Sequence, residues 1–111
     1  MTAEDFRRLA LSLPEASEQS HMGHPDFRVG GRIFAGLDQA GARASLKLVP
    51  DQQEVLMSVE PALFTPANGA WGAKGWTYLI LAAADEETAR GALHMAWRNT
   101  APARLASRVA P

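Results

Sequence analysis

The segment from Phe27 to Leu48 constrains the fold most strongly, because apolar and polar residues alternate along three short runs within it. Alternation with a period of two places successive side chains on opposite faces of a β-strand. Gly30-Gly31 separates the first two runs and can supply the positive φ angles of a tight hairpin turn. Gly41 turns the chain before the third run. We therefore expect three successive antiparallel strands with one face against a core and one face open.

Helices are predicted before and after these strands along the chain. Thr2 caps a first helix that ends at Pro14, Asp51 caps a second helix that Pro61 stops, and Asp85 caps a third. The second helix is expected to turn three apolar residues inward, namely Val55, Leu56 and Val59. A last helical turn or two is predicted over residues 103–109.

The remaining segments are predicted as loops and two further strands. Residues 15–24 are polar and indicate a loop, and residues 68–75 contain three glycines and indicate a mobile loop with Trp71 at its tip. A short strand is expected over residues 62–65 and the longest strand over residues 76–82. The order is αβββαββα, which predicts an α+β fold: one domain over residues 1–111, with an antiparallel sheet of about five short strands and helices packed on one face.

Composition excludes several kinds of site and compartment. The chain of 111 residues has no cysteine, so disulfides, thiolate metal sites and a cysteine nucleophile are excluded. The amino-terminal segment lacks the pattern of a signal peptide, and no apolar run approaches the length of about 20 residues that a membrane helix needs. We therefore expect a soluble cytoplasmic protein that does not contact a membrane.

The net charge is only −1, so the overall field does not steer the protein toward nucleic acid. The two ends nevertheless carry opposite charge. Residues 1–26 hold five acids and two bases, whereas residues 88–111 hold four arginines and no acid. Two outcomes stay open: the ends pair with each other, or the basic end contacts a partner.

One face of the predicted sheet combines basic and aromatic residues. Alternation assigns to the helix side Phe27, Val29, Ile33, Ala35, Leu46 and Leu48. It assigns to the opposite face Arg28, Arg32, Phe34, Arg43, Ser45 and Lys47, and Trp76 and Tyr78 extend this set. Cations contact phosphates and flat rings stack on bases, so such a face suits single-stranded nucleic acid. A solvated face without a partner, and a face that binds another ligand, remain alternatives.

Four segments carry a family resemblance: Phe6 with Leu9-Ala10 and Leu13-Pro14, the block Gly23-His24-Pro25-Asp26-Phe27-Arg28-Val29-Gly30-Gly31-Arg32-Ile33-Phe34-Ala35, the strand Ser45-Leu46-Lys47-Leu48, and Lys74-Gly75-Trp76 before an apolar strand. In these segments, which extend over nearly the whole chain, the sequence resembles the MmcQ/YjbR-like family of small bacterial proteins. The resemblance implies an α+β fold similar to the frataxin/CyaY type. It also implies DNA binding, the role with which this family is commonly labelled.

The leading functional hypothesis is a binding domain without enzymatic activity or cofactor, and the partner it favours is DNA or RNA. The candidate contact residues are Arg28, Arg32, Arg43, Lys47, Trp71, Lys74 and Trp76. The first alternative is an adaptor that binds a protein or a small ligand on the same face. A second alternative is a metal-binding or enzymatic protein centred on His21, His24 and Asp26, because His-x-x-His followed by a carboxylate is a possible ligand set.

Overall fold

The three strands of the alternating segment form where the sequence predicts them, in a computed structural model that describes residues 1–108. Strand β2 spans His24–Val29, β3 spans Arg32–Leu37 and β4 spans Arg43–Lys47. Each pairs antiparallel with the next. Gly30 and Gly31 have φ angles of 59° and 78° and form the hairpin turn between β2 and β3, as predicted.

Three more strands complete a six-stranded sheet within the described part of the chain. Strand β1 spans Ser17–His21, β5 spans Phe64–Pro66 and β6 spans Trp76–Ile80, and the strand order is β1-β2-β3-β4-β6-β5 with every neighbour antiparallel. The prediction of a loop over residues 15–24 is wrong, because β1 lies within it. All five residues of β1 are exposed, so this edge strand carries no apolar alternation that could indicate it.

The helices are α1 (Ala3–Leu11), α2 (Pro50–Val59), α3 (Gly69–Ala73), α4 (Glu86–Thr100) and α5 (Ala103–Ala106). Helix α4 packs on β3 and β4, and α1 packs beside α4. This side of the sheet holds the core, whose largest fully buried side chains include Phe6, Phe27, Phe34, Leu46 and Trp97. The fold is therefore α+β with helices on one sheet face, as expected from the sequence. The final predicted turn forms as α5, whereas Val109 lies outside the described residues.

The predicted caps of the first and last long helices are confirmed. The Thr2 hydroxyl accepts a hydrogen bond from the backbone N–H of Asp5, whose carboxylate accepts one from the N–H of Thr2. The Asp85 carboxylate accepts a bond of 2.7 Å from the N–H of Thr88. The bonds that the N–H groups of Thr2 and Thr88 donate to the carboxylates lower the pKa of Asp5 and of Asp85, because they stabilise the ionised form.

Helix α2 differs from the prediction. Its N-cap position is Val49 rather than Asp51, because the helix begins at Pro50 and already contains Asp51 in its first turn. Val55 and Val59 are 59% and 67% exposed, and only Leu56 with its neighbour Met57 packs against the core. The helix lies beside β5 and β6 at the end of the sheet rather than across its face. Its few apolar residues therefore could not indicate which side is buried.

The oppositely charged ends contact each other in part. Arg104 of α5 pairs with Glu15 at 3.3 Å. A second pair, at 3.5 Å, joins Arg8 of α1 to Glu86 of α4, which precedes the basic end. Both pairs are exposed, so each contributes little to stability. Among residues 1–108, no helix has the combination of length and apolar character required to cross a membrane.

A β-bulge between β2 and β3 decides which side chains of β3 enter the core. Phe27 pairs with Ala35 but Arg28 pairs with Ile33, so Phe34 is an extra residue in β3. Phe34 is fully buried, and Ile33 lies half-buried among side chains of the opposite face. The prediction that Ile33 faces the helices and Phe34 the open side is therefore wrong, because the bulge reverses the alternation at this point.

Candidate functional site

Helices α1 and α4 lie on one face of the sheet, and the opposite face, with α3 at its rim, forms the candidate site; we call it the open face. Strand register places its residues side by side. Arg28 lies opposite Ile33, Lys47 opposite Trp76, and Ser45 opposite Tyr78. Trp76 and Tyr78 are half-buried and lie on this face, as the alternation predicts. The open face therefore brings together basic, aromatic and small polar side chains from β2, β3, β4 and β6.

A cleft of about 590 Å³ lies at one end of the open face, and we call it the cationic cleft. Six of the seven predicted contact residues line it: Arg28, Arg32, Lys47, Trp71, Lys74 and Trp76. Ile33 and Asn99 also line the cleft and were missed by the sequence analysis. Ile33 was missed because of the bulge. Asn99 comes from α4, where its amide donates to the backbone carbonyl of Lys47, and no local sequence pattern indicates that contact.

The basic residues of the cationic cleft differ in how their charge is balanced. Arg28 makes a two-pronged pair with Asp26 at 2.8 and 3.1 Å, and Asp26 is only 5% exposed. The hydrogen bond to Asp26 raises the pKa of Arg28. In contrast, no carboxylate among residues 1–108 forms an ion pair with the three other cations of the cleft, which are Arg32, Lys47 and Lys74.

Lys47 occupies an unfavourable position for a charged group. Burial lowers its pKa, and the positive charge of Arg32 lowers it further. Both effects disfavour the protonated amine in the absence of an anion. An anion placed between these two side chains would offset both effects, because it attracts the protonated amine and the guanidinium. The cleft therefore favours a negatively charged ligand.

Helix α3 holds Trp71 at the rim of the cationic cleft, where the indole is 63% exposed. Its ring meets that of Trp76 edge to face at 6.3 Å, and the amine of Lys74 lies 5.3 Å from the Trp71 ring centre. The prediction of a loop over residues 68–75 is wrong, because five of these residues form α3. Trp71 is nevertheless exposed, as that prediction requires of a contact residue.

Contacts from α2 and β6 fix α3 in place. The side-chain amide nitrogen of Gln53 lies within hydrogen-bonding distance of the carbonyl oxygens of Gly72 and Trp76, at 3.1 and 3.0 Å. A Cβ atom at position 72 would lie 2.0 Å from the carbonyl oxygen of Ala67, so only glycine permits this close packing. Trp71 is therefore presented by an anchored helix.

A second cavity of about 350 Å³ lies at the other end of the open face, and we call it the Tyr78 cavity. Arg43, which was predicted to join the other cations, lies here instead. Its guanidinium carbon is 4.1 Å from the centre of the Tyr78 ring, and its side chain approaches Asp38 at 3.6 Å. The cavity also contains Ser45 and the imidazoles of the β1–β2 hairpin.

The residues of the metal hypothesis do not form a ligand cluster. His21 and His24 are exposed partners at the end of the β1–β2 hairpin, and both carboxylate oxygens of Asp26 accept hydrogen bonds from Arg28. Among residues 1–108, no group of three or more histidine, aspartate and glutamate side chains is placed to hold a metal ion.

Comparison with known proteins agrees with the resemblance noted in the sequence. The crystal structure of Deinococcus radiodurans protein DR2400, a domain of the family DUF419, superposes with a TM-score of 0.75 and 25% sequence identity, over 88% of this chain and 77% of that one. No curated protein sequence matches significantly. The model of the YjbR family matches residues 11–99, which is most of the chain. The protein is therefore a member of the YjbR family.

Proposed function

We propose that the protein is a non-enzymatic nucleic-acid-binding domain that holds a strand of DNA or RNA on its open face. One observation carries the proposal. Within the described chain, Arg32, Lys47 and Lys74 surround a single cleft without a carboxylate partner, and the cleft also contains the indoles of Trp71 and Trp76. The proposal includes a cytoplasmic location, which a chain without cysteine suits.

Each group of the cationic cleft matches one part of a nucleic acid. Unpaired cations bind phosphates and release condensed counterions, and this release drives most of the non-specific affinity. Exposed indoles stack on bases and contribute about 1–3 kcal/mol per base. The overall charge of −1 does not oppose such binding, because Glu4 of α1 and Glu86 of α4, which lie away from the cleft, pair with arginines on the same helices. The local charge of the cleft is positive.

The groups that line the cationic cleft bind ligands more readily than they transform them. They are guanidinium and ammonium groups, two indoles, three aliphatic side chains and the Asn99 amide. The nearby Asp26 carboxylate is already held by Arg28. This composition supports binding as the function.

The exposure of Trp71 beside Ile33 and Trp76 also favours a second candidate function. These three residues form an apolar surface that could contact a protein or a small ligand. Such an adaptor would rely on apolar contact, so its affinity would change little with salt. Nucleic-acid binding would weaken steeply instead.

A salt titration with matched variants tests the proposal. Fluorescence anisotropy would measure binding of short labelled oligothymidylate and oligouridylate between about 50 and about 200 mM salt. We expect the double variant Arg32→Gln/Lys47→Gln to bind about tenfold more weakly. Its slope of log K against log salt should fall by about 1.4, since each phosphate contact contributes about 0.7 on single strands.

The matched control is Arg8→Gln/Arg90→Gln, which removes the same charge from exposed helical positions away from the open face. This control should leave affinity and salt slope nearly unchanged. Equal losses in both double variants would refute a role for the cleft. Binding by the parent protein that is independent of salt would favour the adaptor function.

A further inference from the structure

We infer that the Tyr78 cavity receives one unpaired base of the bound strand, so that the open face selects single-stranded nucleic acid over duplex. This inference rests on the proposed function and adds the substrate class. It assigns a role to Tyr78, Ser45 and Arg43, which lie outside the cationic cleft.

The two cavities adjoin each other on the open face. Ile33 and Trp76 line both, so they form the boundary between the cationic cleft and the Tyr78 cavity. A strand with its phosphates in the cleft would therefore have a base near the cavity entrance. The cavity volume of about 350 Å³ falls at the small end of ligand cavities, which span about 300–1,000 Å³.

The Tyr78 cavity offers a surface on which a base can stack. The guanidinium of Arg43 lies over the Tyr78 ring, and the Arg43 side chain is still 41% exposed. Proteins that recognise unpaired bases stack them on aromatic rings or on arginine guanidinium planes. Because Arg43 already covers one face of the Tyr78 ring, the exposed part of the Arg43 guanidinium is the surface on which a base would stack.

Polar groups around the cavity can contact the edge of a base. The Ser45 hydroxyl and the imidazoles of His21 and His24 line it, and within residues 1–108 none of these side chains has a protein hydrogen-bond partner. They supply both donors and acceptors. Gly36 keeps this space open, because a Cβ atom there would lie 3.1 Å from the Ser45 hydroxyl oxygen and 3.4 Å from the Pro25 carbonyl oxygen.

The position of the cavity explains a preference for single strands. A base in a duplex is stacked and paired, so it must be extruded before it can enter a protein cavity, and extrusion costs free energy. A single strand avoids most of that cost. The preference should therefore depend on the cavity, whereas the electrostatic attraction depends on the cationic cleft.

Two measurements test the inference. In the first, unlabelled adenosine monophosphate and ribose 5-phosphate compete with labelled oligothymidylate or oligouridylate for the parent protein, and the two labels compare DNA with RNA. We expect the nucleotide to compete at least about tenfold better, because only it carries a base that can stack. Equal competition by adenosine monophosphate and ribose 5-phosphate would overturn the inference, whatever effect substitutions in the cavity have.

In the second measurement, Ser45→Met fills the cavity, and Ser58→Met on an exposed part of α2 is the matched control. Ser45→Met should weaken oligothymidylate binding by about tenfold, reduce the preference over a duplex of equal length, and leave the salt slope unchanged. If Ser45→Met binds like the control while Arg32→Gln/Lys47→Gln loses affinity, the base site is refuted and the proposed function stands. If the parent protein binds no oligonucleotide, the proposed function itself fails.

Discussion

The side-chain amide of Gln53 on α2 bonds the carbonyl oxygens of Gly72 on α3 and Trp76 on β6, so one residue joins three elements. The same nitrogen lies 3.2 Å from the hydroxyl of Thr77. That hydroxyl in turn donates to the carbonyl of Gly75. The exposed Trp71 thus depends on a partly buried network beneath it.

We expect Gln53→Ala to destabilise the protein by about 1–3 kcal/mol, because it removes two hydrogen bonds between elements that contribute about 0.5–1.5 kcal/mol each. The carbonyls of Gly72 and Trp76 keep one donor each, the backbone N–H groups of Gly75 and Ala67. Urea unfolding followed by circular dichroism would measure the change. Nucleic-acid affinity should also fall at temperatures where the variant remains folded, since Trp71 would no longer be fixed. Glu54→Ala, exposed on the same helix, is the control and should change stability by less than about 0.5 kcal/mol. Equal effects of the two substitutions would contradict the role of Gln53.

Because of the bulge, we expect alanine to affect stability at one of two adjacent residues and ligand binding at the other. Phe34→Ala should cost about 3–5 kcal/mol, because it empties a fully buried site. Ile33→Ala should cost much less and instead weaken ligand binding, because Ile33 lies on the open face. Denaturant unfolding and anisotropy would measure the two effects. Phe34→Leu provides a milder change if the alanine variant does not fold. A larger stability loss at Ile33 than at Phe34 would show that the side chains are assigned to the wrong faces.

Lys47→Met should stabilise the protein while it weakens anion binding. The folded pKa of Lys47 lies below its ordinary value of 10.5, so the charged amine is penalised in the fold. This penalty is fully present below the folded pKa and disappears as pH rises toward 10.5, where the unfolded chain binds more protons. The stability gain, roughly 0.5 kcal/mol at neutral pH, should therefore shrink with rising pH. Unfolding of the parent protein and of Lys47→Met, measured from pH 7 to about 10.5, tests this. A difference in unfolding free energy that grows with pH would contradict it.

Substitution by alanine should change the stability of the protein in opposite directions at two glycines. Gly75 has a φ angle of 112°, and a Cβ atom there would lie 2.2 Å from the backbone oxygen of Leu48. Gly75→Ala should therefore cost more than about 3 kcal/mol through strain. Gly91 lies in α4 with open space around it, so Gly91→Ala should gain about 0.5–1 kcal/mol from helix propensity. Thermal unfolding would measure both. A stable Gly75→Ala protein would refute the close approach of β6 to the end of β4.

The architecture was predictable because its signals are local. Capping residues, proline stops and the alternation around Gly30-Gly31 identified the central strands and the first and last long helices. Strand β1 was not predictable, since a strand at the sheet edge with both faces in solvent has a purely polar sequence. Helix α3 was missed because its sequence, Gly-Ala-Trp-Gly-Ala, has weak helix propensity. Its anchor, Gln53, lies on another element.

The candidate site was predictable in its chemistry but not in its arrangement. The basic and aromatic residues were identified, and most of them meet in the cationic cleft. Alternation could not separate Arg43 from them, because the position of a residue along the strand, and not only its face, decides which cavity it reaches. Alternation places Asp26 and Arg28 on the same face of β2. It could not show that the carboxylate pairs with the guanidinium, because that contact depends on the conformations of the two side chains.

The extra residue in β3 has a consequence for how this strand can change during evolution. On one side of Phe34, Arg32 and Ile33 can be exchanged for other recognition chemistry, because their side chains lie outside the interior. On the other side, Ala35 and Leu37 are constrained by tight packing. A single inserted position thus separates the start of the strand, whose side chains reach the open face, from a later part in which Ala35 and Leu37 pack in the core while Gly36 borders the Tyr78 cavity.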